Sequence, residues 1–260
     1  MRRRSFLEGS VAGAALVGCA PAQRRPEPAA SLQLRPADER GRADLGWLQA
    51  RHSFSFSRYR DPAFMNFRGL RVLNEDRIAP SGGFPTHPHR DMEIVTYLLQ
   101  GALEHRDTLG NGGVIRPGEV QRMSAGRGIR HSEFSAAAVT THLLQIWIEP
   151  ARRGDAPSYE DRRLVEADLE GALVPLAAPP DRASAVTIHA DATILAGRLH
   201  RQGAEHLVRP GRAAWIQVAR GSLRANELVL SAGDGAFTTS PGRIRFRETD
   251  DAEILVFDLS

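Results

Sequence analysis

The chain has 260 residues, 42% hydrophobic and 25% charged, with a formal net charge of +3, a composition that suits one large or two small soluble domains. That charge is small, and every basic residue is an arginine scattered among acids, so the sequence excludes a nucleic-acid-binding role. Cys19 is the single cysteine, which excludes an intramolecular disulfide, a thiolate nucleophile and a cysteine-rich metal site.

In chain order, the first element is a targeting segment. Arg2-Arg3-Arg4-Ser5-Phe6-Leu7 precedes a small apolar run from Val11 to Ala20, the layout of a basic n-region and an h-region of an export signal. The Arg-Arg-x-Phe-Leu core resembles a twin-arginine signal, and Leu16-Val17-Gly18-Cys19 resembles a lipobox with Cys19 as the lipidation site. The apolar run is too short to span a bilayer. The expectation is a signal over residues 1–18, a Pro-rich tether over 19–31, and an exported, periplasmic or membrane-anchored protein. Membrane contact is expected only through a lipid on Cys19. If the signal is not used, the protein stays cytoplasmic.

From residue 32 onward the pattern is β-rich. Short apolar runs at Met92–Leu99, Leu143–Ile148, Trp215–Val218, Glu227–Leu230 and Ile254–Leu259 alternate with turn signals such as Gly-Asn-Gly-Gly (110–113) and Ala-Gly-Arg-Gly (125–128). Residues 157–172 read as a connector holding a turn or two of helix. Many short, closely spaced strands predict an all-β barrel or sandwich. A weak repeat aligns the strand–glycine–strand unit around Gly101 with that around Gly221. It predicts two similar barrels, over 32–150 and 185–260, joined by a connector over 151–184. In that alignment Leu207 and Arg209 stand where the first half has His87 and His89, so only the first barrel is expected to bind metal.

The chemistry concentrates in His87-Pro88-His89 and His131-Ser132-Glu133. The i, i+2 spacing places both side chains of each pair on one face of a strand. Two such strands side by side aim three imidazoles and one carboxylate at a common point, a donor set for a divalent transition metal that leaves positions open for water or substrate. Pro88 lacks an N–H, which predicts an edge strand or a bulge. Glu93 shares the parity of His87 and His89 if the strand continues, so it is either an acid beside the site or an arginine's partner. His105, His142, His189, His200 and His206 read as structural or surface residues.

The runs Thr86-His87-Pro88-His89-Arg90-Asp91-Met92-Glu93, Leu103-Glu104-His105-Arg106-Asp107-Thr108-Leu109-Gly110-Asn111 and Gln121-Arg122-Met123-Ser124-Ala125-Gly126-Arg127-Gly128-Ile129-Arg130-His131-Ser132-Glu133 resemble the pirin family of the cupin superfamily. Gly46-Trp47-Leu48, His52-Ser53-Phe54-Ser55-Phe56 and Leu144-Gln145-Ile146-Trp147-Ile148 extend the resemblance, which covers about residues 33–260. The compact length is most like the bacterial pirin-like quercetinases.

The resemblance implies a bicupin of two β-barrels with one metal in the first, held by His87, His89, His131 and Glu133. The implied ion is iron(II), other divalent ions being compatible. The implied activity is quercetin 2,3-dioxygenation, in which O2 opens a flavonol and carbon monoxide leaves. Glu133 or Glu93 is then the candidate proton acceptor, and Phe54, Phe56 and Phe67 are candidate wall residues with core roles as the alternative. The partners are a small phenolic substrate and O2. The alternative functions are a non-catalytic metal- or redox-responsive binding protein, or a cupin enzyme with another phenolic substrate. The export signal departs from the cytoplasmic or nuclear pattern of well-known pirins.

Overall fold

A computed structural model describes residues 27–200, 203–248 and 250–260. The expected signal, Cys19 and residues 19–26 of the expected tether lie outside the described residues. In chain order the first strands are β1 (Gln33–Arg35), β2 (Gly41–Asp44), β3 (Leu48–His52), β4 (Leu70–Ile78), β5 (Gly83–His89) and β6 (Glu93–Gln100). Next come β7 (Leu103–Asp107), β8 (Gly112–Ile115), β9 (Glu119–Ser124), β10 (Ile129–Ser135), β11 (Thr141–Ile148) and β12 (Ser158–Arg163). After one helical turn, α1 (Glu166–Leu169), follow β13 (Val174–Ala178), β14 (Val186–Thr187), β15 (Ala192–Leu199), β16 (Ala204–Val208) and β17 (Ala213–Arg220). The chain closes with β18 (Ser222–Ala225), β19 (Leu228–Ser231), β20 (Gly235–Thr238), β21 (Gly242–Glu248) and β22 (Ala252–Leu259).

These strands build two barrels of like design. In the first, the seven-stranded sheet β12-β9-β6-β11-β4-β3-β2 faces the four-stranded sheet β5-β10-β7-β8. In the second, β1-β20-β17-β22-β15-β13-β14 faces β16-β21-β18-β19. The all-β expectation holds, and every apolar run named above lies within or largely within a strand. The large sheets pack on each other through one shared core, in which Val95, Tyr97 and Leu99 of β6 meet Ile188, Trp215, Leu255 and Phe257. Among the described residues no helix is long and apolar enough to cross a membrane.

Three details differ from the sequence expectations. Residues 158–163 of the expected helical connector form a strand, because the edge of β9 offers unpaired backbone groups that β12 satisfies from Ser158 opposite Ser124 to Arg163 opposite Glu119. The first described residues belong to the second barrel: β1 pairs with β20, and the Ala30 N–H donates to the Arg243 carbonyl at 3.1 Å. Ala30, expected in the tether, is buried in the second barrel's core.

The repeat itself is present, since β6-Gly101-β7 and β17-Gly221-β18 turn alike with φ of 82° and 70° at the two glycines. A Cβ at Gly221 would lie 1.6 Å from the Asp251 carbonyl oxygen, so both backbone conformation and space require glycine there. Its register, however, is one residue off in β16. His206 pairs with the buried Ile244 as His87 pairs with His131, and residues directly opposite share a face. The loop 209–212 is one residue longer than 90–92. His206 rather than Leu207 therefore stands at the position of His87, with its Nε2 3.3 Å from Asp258 Oδ2.

Candidate metal centre

β5 lies at the edge of the four-stranded sheet, as Pro88 requires. It pairs with β10 so that His87 stands opposite His131 and His89 opposite Ile129. A bulge between His131 and Glu133 shifts the register so that Glu133 faces Phe84. The result brings His87, His89 and His131 together, with Glu133 near His131. The ring centroids of His87, His89 and His131 are 4.4 to 4.9 Å apart, and Nε2 of His87 is 3.1 Å from Nε2 of His131.

The outer ring nitrogens set the orientation. His87 Nδ1 donates to the Pro85 carbonyl at 2.9 Å, which leaves its Nε2 lone pair facing inward. His131 Nδ1 is 3.3 Å from His105 Nδ1, and His105 Nε2 is 3.2 Å from Asp107 Oδ2. One proton pattern satisfies that chain: His105 donates to the carboxylate, His131 donates to His105, and His131 Nε2 again presents a lone pair. His105, read from sequence as structural or surface, stands behind a site histidine and positions it. Burial, followed by the neighbouring imidazoles, pushes His131 down to about 2 and His89 down to about 4. Neutral imidazoles at working pH are what a metal needs.

Glu133 is buried, with Oε2 accepting from Gln145 Nε2 at 2.9 Å and Oε1 without a partner. Two overlapping sets of donor atoms lie within 4.8 Å of one another: His87, His89 and His131, and His105, His131 and Glu133. Three inward nitrogens and an orphaned buried carboxylate oxygen fit a divalent transition ion.

A row of polar side chains supports this set from behind. His52, Asn74, Gln145, Thr96 and Gln121 stand side by side across β3, β4, β11, β6 and β9. Thr96 Oγ1 donates to Gln145 Oε1, which orients the amide that holds Glu133. Gln121 Nε2 reaches His105 Nδ1 at 3.3 Å. Replacing Gln145 with leucine is expected to weaken metal binding roughly 10–100-fold with the fold retained. A chelator-competition titration checks this.

Glu93 does not join the site. Its Oε2 accepts from Ser124 Oγ at 2.7 Å and from the His189 N–H at 3.2 Å, on the face of β6 that meets the second barrel. The expected parity fails because Asp91, with φ of 48°, breaks the strand between β5 and β6. Glu93 is therefore corrected from a candidate catalytic acid to an inter-barrel contact.

The metal-side donors open onto a cavity of about 230 Å³. Leu45, Leu48, Phe56, Phe84 and Trp147 give it apolar walls, while His52, Asn74, Asp76, Glu133 and Gln145 supply polar groups. Of the three expected wall residues, Phe56 lines it. Phe54 and Phe67 instead pack on Trp215 with centroids at 4.8 and 5.6 Å. Asp76, Asn74 and Phe84 were not singled out from sequence, and Gln145 and Trp147 entered only within a motif of the family resemblance. The available signal was polar residues at the inward parity of the apolar strands β4 and β11.

Burial pushes the Glu133 carboxyl up to about 7, against the Gln145 hydrogen bond. Burial, then the charges of Glu133 and Glu75, pushes Asp76 up to about 7. In an unfolded chain these groups titrate near 4.5 and 3.8. Between those values and 7 the folded, metal-free protein binds more protons, so its stability falls as pH rises through this window and levels off above it. Thermal melts of metal-free protein are expected to show Tm falling over that window, with a shallower slope in Glu133→Gln.

Comparison with known proteins identifies the family and the fold. The pirin family model matches residues 33–148, and the quercetinase C-terminal cupin domain model matches 175–259. The chain is 42% identical to a quercetin 2,3-dioxygenase of Escherichia coli over 230 residues, 88% of this chain and 98% of that one. It is 43% identical to a pirin-like protein of Caulobacter vibrioides over 229 residues, 87% and 99% of the two chains. The crystal structure of the bacterial pirin YhhW from Escherichia coli in complex with nickel(II) superposes with a TM-score of 0.82 at 42% identity, covering 88% and 99%. The chain belongs to the pirin family, with two cupin domains.

Proposed function

We propose that this protein is a metal-dependent dioxygenase that opens flavonols such as quercetin with O2, releasing carbon monoxide. The observation that carries this reading is the clustering of His87, His89 and His131 beside an apolar-walled cavity that His87, His89 and Glu133 line. His87, His89 and His131 would hold the ion through Nε2 or its equivalent lone pair, with Glu133 as the carboxylate ligand and iron(II) as the ion. When bound, that ion supplies Lewis acidity that favours the ionised flavonol 3-hydroxyl.

The chain's own residues do the rest. Phe56, Phe84 and Trp147 clamp a planar ring and exclude water. Glu133, held weakly or displaced as a ligand, would take the 3-hydroxyl proton at Oε1, which has no protein partner, while Gln145 steadies Oε2. The cavity is smaller than the roughly 300–1,000 Å³ typical of ligand sites, so one end of the flavonol sits inside and the remainder at the mouth. Iron(II)-loaded protein is expected to consume O2 with quercetin, and His87→Ala is expected to abolish that consumption. Consumption unchanged in the variant would contradict the assignment.

The N-terminal Arg-Arg-x-Phe-Leu core and lipobox support export of the folded protein. Folding around iron before export would spare the site competition from copper and nickel, which bind such donors more tightly. Fractionation of native cells tests this. Protein found only in the cytoplasm with an unprocessed N-terminus would refute it.

A further inference from the structure

Asp76 is the one cavity group that the metal reading leaves unexplained. It lies on the inward face of β4, opposite Ala50 of β3 and Leu143 of β11, so neither flanking strand offers it a hydrogen bond. The neighbouring polar row is hydrogen-bonded by comparison: His52 Nδ1 donates to Asn74 Oδ1 at 2.9 Å, and Gln145 binds both Thr96 and Glu133. Among the described residues nothing hydrogen-bonds to the Asp76 carboxyl, and its Oδ1 is buried. The side chain nonetheless lines the cavity. An unpartnered buried carboxyl works against folding, and it shares the cavity with Glu133.

We propose that Asp76 binds a second phenolic hydroxyl of the ligand, so that the cavity selects polyhydroxylated aromatics over those carrying only the metal-directed hydroxyl. This rests on the reading of the site as one for phenolic substrates. The aromatic walls fix the ring plane, the metal-side donors fix one hydroxyl, and Asp76 accepts from another. A phenol buried without an acceptor loses its water partners, whereas one that reaches Asp76 gains a hydrogen bond to an oxygen that has no other partner. Discrimination of this kind, by a buried group that goes unpaired with the wrong ligand, is stronger than discrimination by shape.

The test uses metal-loaded full-length protein and two probes, quercetin and 3-hydroxyflavone, with equilibrium binding followed by tryptophan fluorescence and turnover by O2 uptake. Wild type is expected to bind quercetin at least about tenfold more tightly than 3-hydroxyflavone. Asp76→Leu is expected to erase that preference, with 3-hydroxyflavone affinity and metal content unchanged. Asp76→Asn, which keeps a carbonyl acceptor, is expected to recover part of it. The Tm of Asp76→Leu is expected to rise, which separates loss of recognition from loss of fold. Equal loss for both probes, or no change for either, would overturn the inference. Selective quercetin binding without turnover would sink the dioxygenase reading and leave Asp76's role standing. Turnover of both probes with no effect of Asp76→Leu would do the reverse. Binding of neither probe by wild type would refute both.

Discussion

Replacing His131 with alanine is expected to empty the metal site and to lower quercetin turnover more than the roughly 100-fold that loss of an outer supporting residue costs. His131 belongs to both overlapping donor groups, so no arrangement of the remaining side chains recovers its contribution. It is 1% exposed, held from behind by His105 and faced by His87 across the β5–β10 pair. Metal analysis of the purified variant and its O2 uptake check the two halves of this expectation separately. A correctly folded variant that kept one ion per chain would show that the donors lie elsewhere.

The second large effect is structural and reaches the site from a distance. Trp215, on β17 of the second barrel, is fully buried and stacks on Phe237 at 5.3 Å while Phe54 and Phe67 of the first barrel pack against it. Truncating it to alanine is expected to destabilise the protein by about 3–5 kcal/mol. That corresponds to a Tm lower by roughly 10 °C for a chain of this size. Phe54 lies between His52 and Phe56, both cavity residues, so loosening its packing is also expected to raise KM with metal content unchanged. Trp215→Phe, which keeps the stack, is expected to be far milder because Trp215 Nε1 has no hydrogen-bond partner to lose. Thermal melts and steady-state kinetics of the two variants read these outcomes.

Legibility in the sequence followed the range of the physics involved. The clustering of His87, His89 and His131 was readable because i, i+2 parity is local and survives any strand pairing. Pro88 announced the edge strand for the same reason, through a missing N–H. Glu93 was misplaced because parity holds only within one strand, and the positive φ at Asp91 resets it. His206 was misaligned because a single added residue in the loop 209–212 shifts every side chain of β16 to the other face. The polar row from His52 to Gln121 draws on five strands distant in sequence, and only inter-strand register brings those residues together. The joining of β1 to the second barrel is likewise a matter of which sheet edge is free. Asp76 was hidden because a single acid in a strand reads as solvent-facing until its inward parity is known.

The most direct test of the metal centre is the position of the ion in crystals of the metal-loaded protein, read from anomalous scattering at the metal's absorption edge. The account predicts one ion among the His87, His89 and His131 imidazoles with the Glu133 carboxylate beside it. An ion seated instead on His105, His131 and Glu133, or outside the first barrel, would contradict it.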